Sequence, residues 1–369
     1  MNMGRGSRMA SGRRFNRVVQ IGFTFIGTMV GAGFASGQEI LQFFTRYGGS
    51  AVATIFAASL LFVWLGVKIM ILAGRTGAGT YEELNTIIMG KTAGKLFSRF
   101  MAVVLLGTCG VMLAGAGSIF EERLGLPFVA GLLLTMLLAF WVMSGGIGAI
   151  MAVNTVIVPL MVAFLLVMTI QSFHSPNAAN WIWRQTDAPL WKIWLSPLLY
   201  AAFNLSLTQA VLVPIGAAIR DPQTLRLGGI VGGSGIGLLL LAGHFALSTQ
   251  MPGIAQFEIP SAHLIHSLGP VIQLLFLIVI YAEIFTTLIA DAFGLSLLVQ
   301  QHVRLRGSAV LLLILAIGGL ISLAGFSRLV GTLYPLFGAV SLLWLLLLAL
   351  WRPGEAANGT NGGNRRRVV

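Results

Sequence analysis

A chain of 369 residues that is 57% hydrophobic and 9% charged is no ordinary water-soluble domain, since soluble domains carry about 25% charged residues. Its apolar runs are continuous, many near the ~20 residues that cross a bilayer as helix, and they lack the two-residue alternation of a membrane β-barrel. The net charge of +12 therefore belongs to loops and tails of a polytopic helical membrane protein rather than to a nucleic-acid surface, and the single cysteine, Cys109, excludes an intrachain disulfide.

Residues 1–16 read as a basic cytoplasmic tail, and the first span follows at 17–47. It is too long for a signal peptide, and Glu39 and Gln42 follow where a small-residue cleavage site would stand, so it is retained. Inside it, "GTMVGAGFASGQE" (27–39) is unusual. Gly22, Gly27, Gly31, Gly33 and Gly37 fall within sixteen residues, and the charge of Glu39 follows them. Glycine lowers helix stability by about 1 kcal/mol relative to alanine and permits φ > 0. Gly31, Gly33 and Gly37 together predict a broken helix. A break at mid-membrane is tolerated where it is buried in protein or lines a cavity. It frees N–H groups that attract an anion and C=O groups that attract a cation. The competing reading is close helix packing through small residues.

Further spans are expected at 50–74, 96–120, 126–144, 147–172, 191–219, 225–250, 268–302, 308–326 and 329–351. Segment 80–95 reads as a short cytoplasmic helix on the membrane surface, with Thr80 and Glu83 as a capping box and Leu84, Ile87 and Ile88 on one face. Span five carries Asn154 and Pro159. The loop at 173–190 holds Trp181 and Trp183, suited to an interface belt. Span six places Asn204, Ser206, Thr208 and Gln209 at mid-membrane ahead of Pro214. Polar interruptions in corresponding positions of two halves point to a transport site, against ordinary interhelical hydrogen bonding. In span eight, Glu283, Thr286, Thr287 and Asp291 share one helix face. Intramembrane carboxylates commonly line ion or substrate routes, and hydroxyl oxygens suit hard cations.

Basic residues set the orientation. With the N-terminus inside, 18 of the 23 Lys and Arg face the cytoplasm, and only Arg46, Arg123, Arg184, Lys192 and Arg328 lie outside. Both termini are then cytoplasmic. The fold class is all-α integral membrane, with about ten transmembrane helices as two inverted five-helix repeats whose first and sixth helices are broken. The repeats cover 17–173 and 191–352, joined by an external loop at 174–190 and followed by a Gly/Asn/Arg-rich, disordered cytoplasmic tail at 353–369.

"IGTMVGAGF" (26–34) resembles the first-helix Gly-x-Gly signature of the amino acid–polyamine–organocation superfamily, with its leucine-transporter fold. The longer "GAGFASGQEI" (31–40) resembles the bacterial YkvI-type membrane proteins, grouped as amino-acid permeases. The likeness spans about 17–351. It implies that Gly31 and Gly33, with Ala32 and Phe34 between and beside them, offer unwound amides to a substrate carboxylate. Phe203, Asn204 and Ser206 answer them loosely from span six. The Gly27 and Val30 carbonyls and the Thr286 and Thr287 hydroxyls match the sodium site of sodium-coupled members. Glu283 is a departure: it stands one turn before the threonines, where those members commonly have a small residue, and suits either a stronger cation site or proton coupling.

The implied function is a secondary transporter in the bacterial plasma membrane. It would move a small solute, an amino acid or a related amine or zwitterion, by sodium- or proton-coupled alternating access. The partners are that solute and the lipid bilayer, with no nucleic acid; apart from sodium no cofactor or metal is implied. A channel or uncoupled facilitator is the rival, but a channel needs a continuous polar stripe or a filter motif. "GGSG" (232–235) resembles an intramembrane serine protease motif. However, His244 is roughly 15 Å further along the same helix, and no His-Glu-x-x-His motif is present, so no enzyme is expected.

Overall fold

The computed structural model describes residues 3–145, 148–219, 221–266, 268–300 and 304–351, with the side chains of all but 3–13, 144, 145, 148–156 and 297 among them. Within these residues the regular structure is helical: α1 (Met3–Met29), α2 (Ala32–Ala35), α3 (Gln38–Phe43), α4 (Ser50–Thr76), α5 (Tyr81–Leu124), α6 (Phe128–Gly145), α7 (Gly148–Ser172), α8 (Leu190–Ala218), α9 (Pro222–Ser248), α10 (Pro260–His266), α11 (Pro270–Gln300), α12 (Gly307–Ser322) and α13 (Phe326–Leu350). The tail at 353–369, Arg220 and the side chain of Asn154 lie outside the described residues. From Met3 on, the expected N-terminal tail continues α1 without a break.

Helices α4, α5, α8, α9, α11 and α13 are long and apolar enough to cross a bilayer; α6, α7 and α12 contain shorter apolar helices. The first span is divided among α1, α2 and α3. Each expected span thus has its helix, and the chain is an all-α membrane protein. Phe23, Leu60, Trp141, Leu238, Leu274 and Leu320 stand exposed on its flanks, a surface suited to lipid rather than water.

Local chemistry fixes many helix ends. Asp221 accepts the Gln223 N–H at 3.1 Å and the Thr224 hydroxyl at 2.6 Å, and Pro222 follows at the first helical position of α9. Gly77 ends α4 in the left-handed region (φ 72°). The expected capping box at α5 forms one residue wider than its ideal. Thr80 Oγ1 accepts the Glu83 N–H, while Glu83 reaches back to the N–H of Gly79.

At Gly90 (φ 80°, ψ 168°) α5 turns sharply, so 81–89 folds back on its own continuation. Leu84 is fully buried, and Trp344 Nε1 donates to Asn85 Oδ1 at 2.7 Å. The segment expected on the membrane surface is instead pinned to α13. Its apolar face found protein to bury against.

The packing follows the inverted-repeat pattern. Helix α1 packs on α9 while its counterpart α8 packs on α4; α7 packs on α11 while α13 packs on α5; α4 and α9 meet, as do α5 and α11. Corresponding helices exchange partners, as a pseudo-two-fold axis demands. Small residues bring the backbones together. A Cβ on Gly216 would strike the Met70 carbonyl, and one on Gly232 would strike the Phe25 ring.

The two ends of the bundle differ. At the basic end Arg14 pairs with Asp221 at 3.6 Å, and Lys68 donates to the Ala349 carbonyl at 2.7 Å. At the opposite end the 173–190 loop crosses the bundle, with the Gly49 N–H donating to the Arg184 carbonyl at 2.8 Å. Trp181 packs on His244 and Phe245, whereas Trp183 is exposed.

Candidate functional site

The first span breaks twice. Helix α1 stops at Met29, Gly31 is extended (φ −101°, ψ −173°), α2 makes one turn, and Gly37 takes a left-handed conformation (φ 82°) before α3 starts. Gly31 and Gly37 therefore carry the interruption, while Gly33 is helical. Among the described residues, no backbone hydrogen bond links the N–H groups of Gly31, Ala32, Gly33 and Phe34 to the carbonyls of Gly27, Thr28, Met29 and Val30. The pairs that a continuous helix would form across the gap are not made.

Gly33 is there for space. A Cβ at that position would collide with the Glu39 carboxylate. Glu39 is 5% exposed, and its Oε2 makes no hydrogen bond among the described residues. The hydroxyl of Tyr200 faces it and has no other hydrogen-bond partner among the described residues. Tyr200 is held in an aromatic cluster, its ring centroid 5.1 Å from Phe43, 5.1 Å from Phe44 and 5.9 Å from Phe62.

The second interruption, at Gly37, is strapped. Ser36 accepts the Ser261 N–H through its carbonyl at 2.9 Å, and Gln38 Nε2 donates to the Phe257 carbonyl at 2.8 Å. The strap continues through Glu258, which accepts the Ser327 N–H at the start of α13, and whose own N–H donates to Glu122 at 2.8 Å. Burial raises the Glu258 carboxyl above the ordinary carboxylate range, against the lowering effect of the Ser327 N–H.

Span six departs from expectation. Helix α8 is continuous from Leu190 to Ala218, through Pro197 and Pro214, so the expected sixth-helix break is absent. The reason is chemical. No glycine lies between Ile193 and Pro214, and the polar side chains bond their own helix. Asn204 Nδ2 donates to the Tyr200 carbonyl, Ser206 Oγ to Phe203, and Gln209 Nε2 to Ser206.

Phe203 and Ser206 also turn away from span one. Phe203 packs on Tyr334 at 4.4 Å, and the Ser341 hydroxyl meets Ser206 at 3.2 Å. The face of α8 that meets span one is Tyr200, Asn204 and Thr208, spaced four residues apart; Thr208 Oγ1 lies 3.3 Å from Met29 Sδ.

Helix α11 passes beside α2. Val30, Phe34 and Ala35 of the break, Met161 and Leu165 of α7, and Phe276 of α11 line an apolar cavity of about 10 Å³, the room of a single water. Larger cavities of about 1100 Å³ at the basic end and 370 Å³ at the opposite end are lined by other residues. Glu283 is 3% exposed, and its Oε2 is unpartnered among the described residues. Thr286 is buried beside it and donates its hydroxyl to the Glu283 carbonyl at 3.2 Å; Thr287 is half-buried. That bond is local to α11 and does not reach the Glu283 carboxylate, and the Cα of Gly27 faces Val158 on α7. Asp291, one turn beyond Thr287, lies against Thr108 of α5.

The serine-protease geometry is not assembled. Ser234 is exposed on the flank of α9, whereas His244 is buried with its Nδ1 3.1 Å from both Thr45 Oγ1 and Ser248 Oγ.

No family model matches the chain. It is 37% identical over 329 residues to the uncharacterized membrane protein YkvI of Bacillus subtilis (strain 168), covering 88% of this chain and 93% of YkvI. It is 25% identical over 326 residues to the uncharacterized protein YyaD of the same organism, covering 88% and 94%. Among solved structures it is similar to the inward-facing conformation of Mhp1, with a TM-score of 0.64 and 13% identity over 90% of this chain and 75% of that one. It is also similar to MhsT in complex with L-phenylalanine, with a TM-score of 0.65 and 14% identity over 91% and 90%. At these identities the structural likeness is one of fold, the leucine-transporter fold.

Proposed function

The chain belongs to the family of the membrane protein YkvI, and from that premise we propose that it is a secondary transporter of a small solute working by alternating access. The observation that carries this reading is the unpaired backbone at the first-span break, buried within the bundle beside α11. Unsatisfied backbone is costly in a membrane unless a ligand or cavity answers it. The amides of Gly31, Ala32, Gly33 and Phe34 suit a carboxylate, and the carbonyls of Gly27 and Val30 suit a cation.

The cargo in this reading is an amino acid or a related amine or zwitterion, in keeping with the amino acid–polyamine–organocation superfamily. That MhsT was solved with L-phenylalanine supports the class. Symport couples the cargo to sodium or protons through Glu283, Thr286 and Thr287. Asn204 contributes from α8. The Phe203 and Ser206 side chains, turned toward α13, support the helix rather than the solute.

Thermal-shift measurements on purified protein test the reading, with amino acids, amines and organic acids as ligands and with sodium, potassium and pH varied. A cargo stabilises the folded state by RT ln(1 + [L]/Kd), so its midpoint rises with concentration, and the coupling ion steepens that rise. A protein that none of these solutes stabilises, and that accumulates none of them in vesicles, is not such a transporter.

The bacterial plasma membrane is the proposed location, with the basic end cytoplasmic. Single cysteines at Ser175 and Asn361, in a Cys109→Ala background, give the expected outcome: an impermeant thiol reagent labels Ser175→Cys on intact cells and leaves Asn361→Cys unlabelled. The reverse pattern inverts the topology.

A further inference from the structure

We propose that the Glu39 carboxylate, seated on Gly33 and faced by the Tyr200 hydroxyl, is the group that binds the cationic end of the cargo, which is a solute bearing a protonated amine. The proposal rests on the transport reading only in calling that solute a cargo.

Apart from Glu283, which shares the buried and unpartnered state of Glu39 and is the proposed coupling group, four carboxylates show what a structural acid looks like here. Glu83 accepts the Gly79 N–H, Glu122 the Glu258 N–H, Glu258 the Ser327 N–H and Asp221 the Gln223 N–H. Each completes a cap or a strap. Glu39 is more deeply buried than any of these, and its Oε2 completes nothing among the described residues. Of the two cations on its own span, Arg17 is exposed at the start of that span, and Arg46 is exposed and directed to Gln42 Oε1 at 2.9 Å. A buried carboxylate with a phenol beside it but no countercharge is unfavourable unless a cation or proton arrives.

Three features show that the position is built. Gly33 lies inside the α2 turn, where any residue could take the backbone angles, yet a Cβ there would displace the carboxylate. The Tyr200 ring is fixed on three sides by Phe43, Phe44 and Phe62, so its hydroxyl is delivered to Glu39 rather than drifting there. Tyr334, packed on Phe203, lies within electrostatic reach of the same carboxylate. A carboxylate, two phenols and aromatic faces make a setting for an ammonium group. The unpaired amides of Gly31 to Phe34 lie five to eight residues before Glu39 in the chain, and Gly33 among them lies against its carboxylate. One solute can therefore meet both: ammonium to Glu39, carboxylate to the amides.

The test is a matched set of solutes on detergent-purified protein. Alanine, leucine, phenylalanine and ornithine are each compared with the decarboxylated amine and the deaminated acid, by thermal shift and tracer binding. The expected result is that stabilisation is confined to amine-bearing members. Glu39→Gln, shown to be folded by gel filtration and circular dichroism, weakens amine binding at least about tenfold, a loss of roughly 1.4 kcal/mol. Glu39→Asp keeps the selectivity at lower affinity, and Tyr200→Phe loses affinity by a smaller factor.

Should Glu39→Gln fail to fold, Gly33→Ala reads the same contact by displacing the carboxylate, and it too loses the amine. A folded Glu39→Gln that binds amines within about twofold of the original, or deaminated acids that bind as well as their amines, overturns the proposal. Vesicle uptake separates it from the transport reading. Glu39-dependent binding without uptake sinks transport and leaves the amine site standing. Uptake of amine-free solutes that is unaltered by Glu39→Gln does the reverse.

Discussion

Gly33→Leu is expected to abolish substrate binding in a protein that remains folded in detergent, whereas Gly31→Ala should leave affinity within about threefold of the original. Sequence alone makes the two glycines look equivalent; the structure separates them. Gly31 is extended, a conformation open to every residue, and a Cβ there meets nothing within 4 Å. Gly33 is helical, but its missing side chain is where the Glu39 carboxylate lies. Leucine at Gly33 fills that space and, as a good helix former, strengthens α2 at the expense of the break. Even Gly33→Ala should lower affinity about tenfold. Tracer binding, with gel filtration to confirm folding, gives the comparison. Equal losses at the two positions would return both glycines to a common role in close packing.

The second large effect is expected at Glu283. A sodium gradient alone should drive accumulation in proteoliposomes, and a pH gradient alone should not. Glu283→Gln keeps the shape of the side chain and removes its charge, so apparent sodium affinity should fall at least about tenfold. Thr286→Ala should weaken it by a smaller factor. The Thr286 hydroxyl proton is already donated to the Glu283 carbonyl, so the oxygen lone pairs remain for a hard cation. Proton coupling makes the opposite demand. The pH gradient would then drive uptake, Glu283→Gln would uncouple it, and the threonine variants would stay near the original rate. If neither gradient accumulates a solute that binds, the protein exchanges or equilibrates its cargo instead.

What could be read from the sequence followed range. The spans were legible because hydropathy is summed over twenty residues and tolerates local error. The Thr80–Glu83 cap was legible because its parts are neighbours. The first-span break was legible from glycine spacing, though only Gly31 and Gly37 serve the backbone. A glycine kept for space and a glycine kept for torsion are indistinguishable until the neighbour is known.

Span six departs from its sequence pattern for a related reason. Polar side chains in a membrane helix satisfy either a gap or their own backbone, and Asn204, Ser206 and Gln209 chose the latter. The rotation of α8 is hidden in the sequence too, and it directs Phe203 and Ser206 toward α13. The four-residue spacing of Tyr200, Asn204 and Thr208 was the available signal. Glu39 stood in plain view as a charge inside an apolar run, but Tyr200, its counterpart, comes from another span, and only folding brings the two together.

The unbroken α8 has a mechanical consequence. Its 29 residues make a rod of roughly 44 Å, clamped at one end where Ser196 holds the Phe43 carbonyl at 2.6 Å, and close to α4 at the other, where Gly216 lies against Met70. A segmented helix absorbs movement at its joint; a rod passes it on. A tilt of about 5° about the midpoint carries the two ends roughly 2 Å in opposite directions. Helix α8 is therefore a lever: whatever shifts the end clamped at Ser196 is felt as an opposite displacement at the end that lies against Met70.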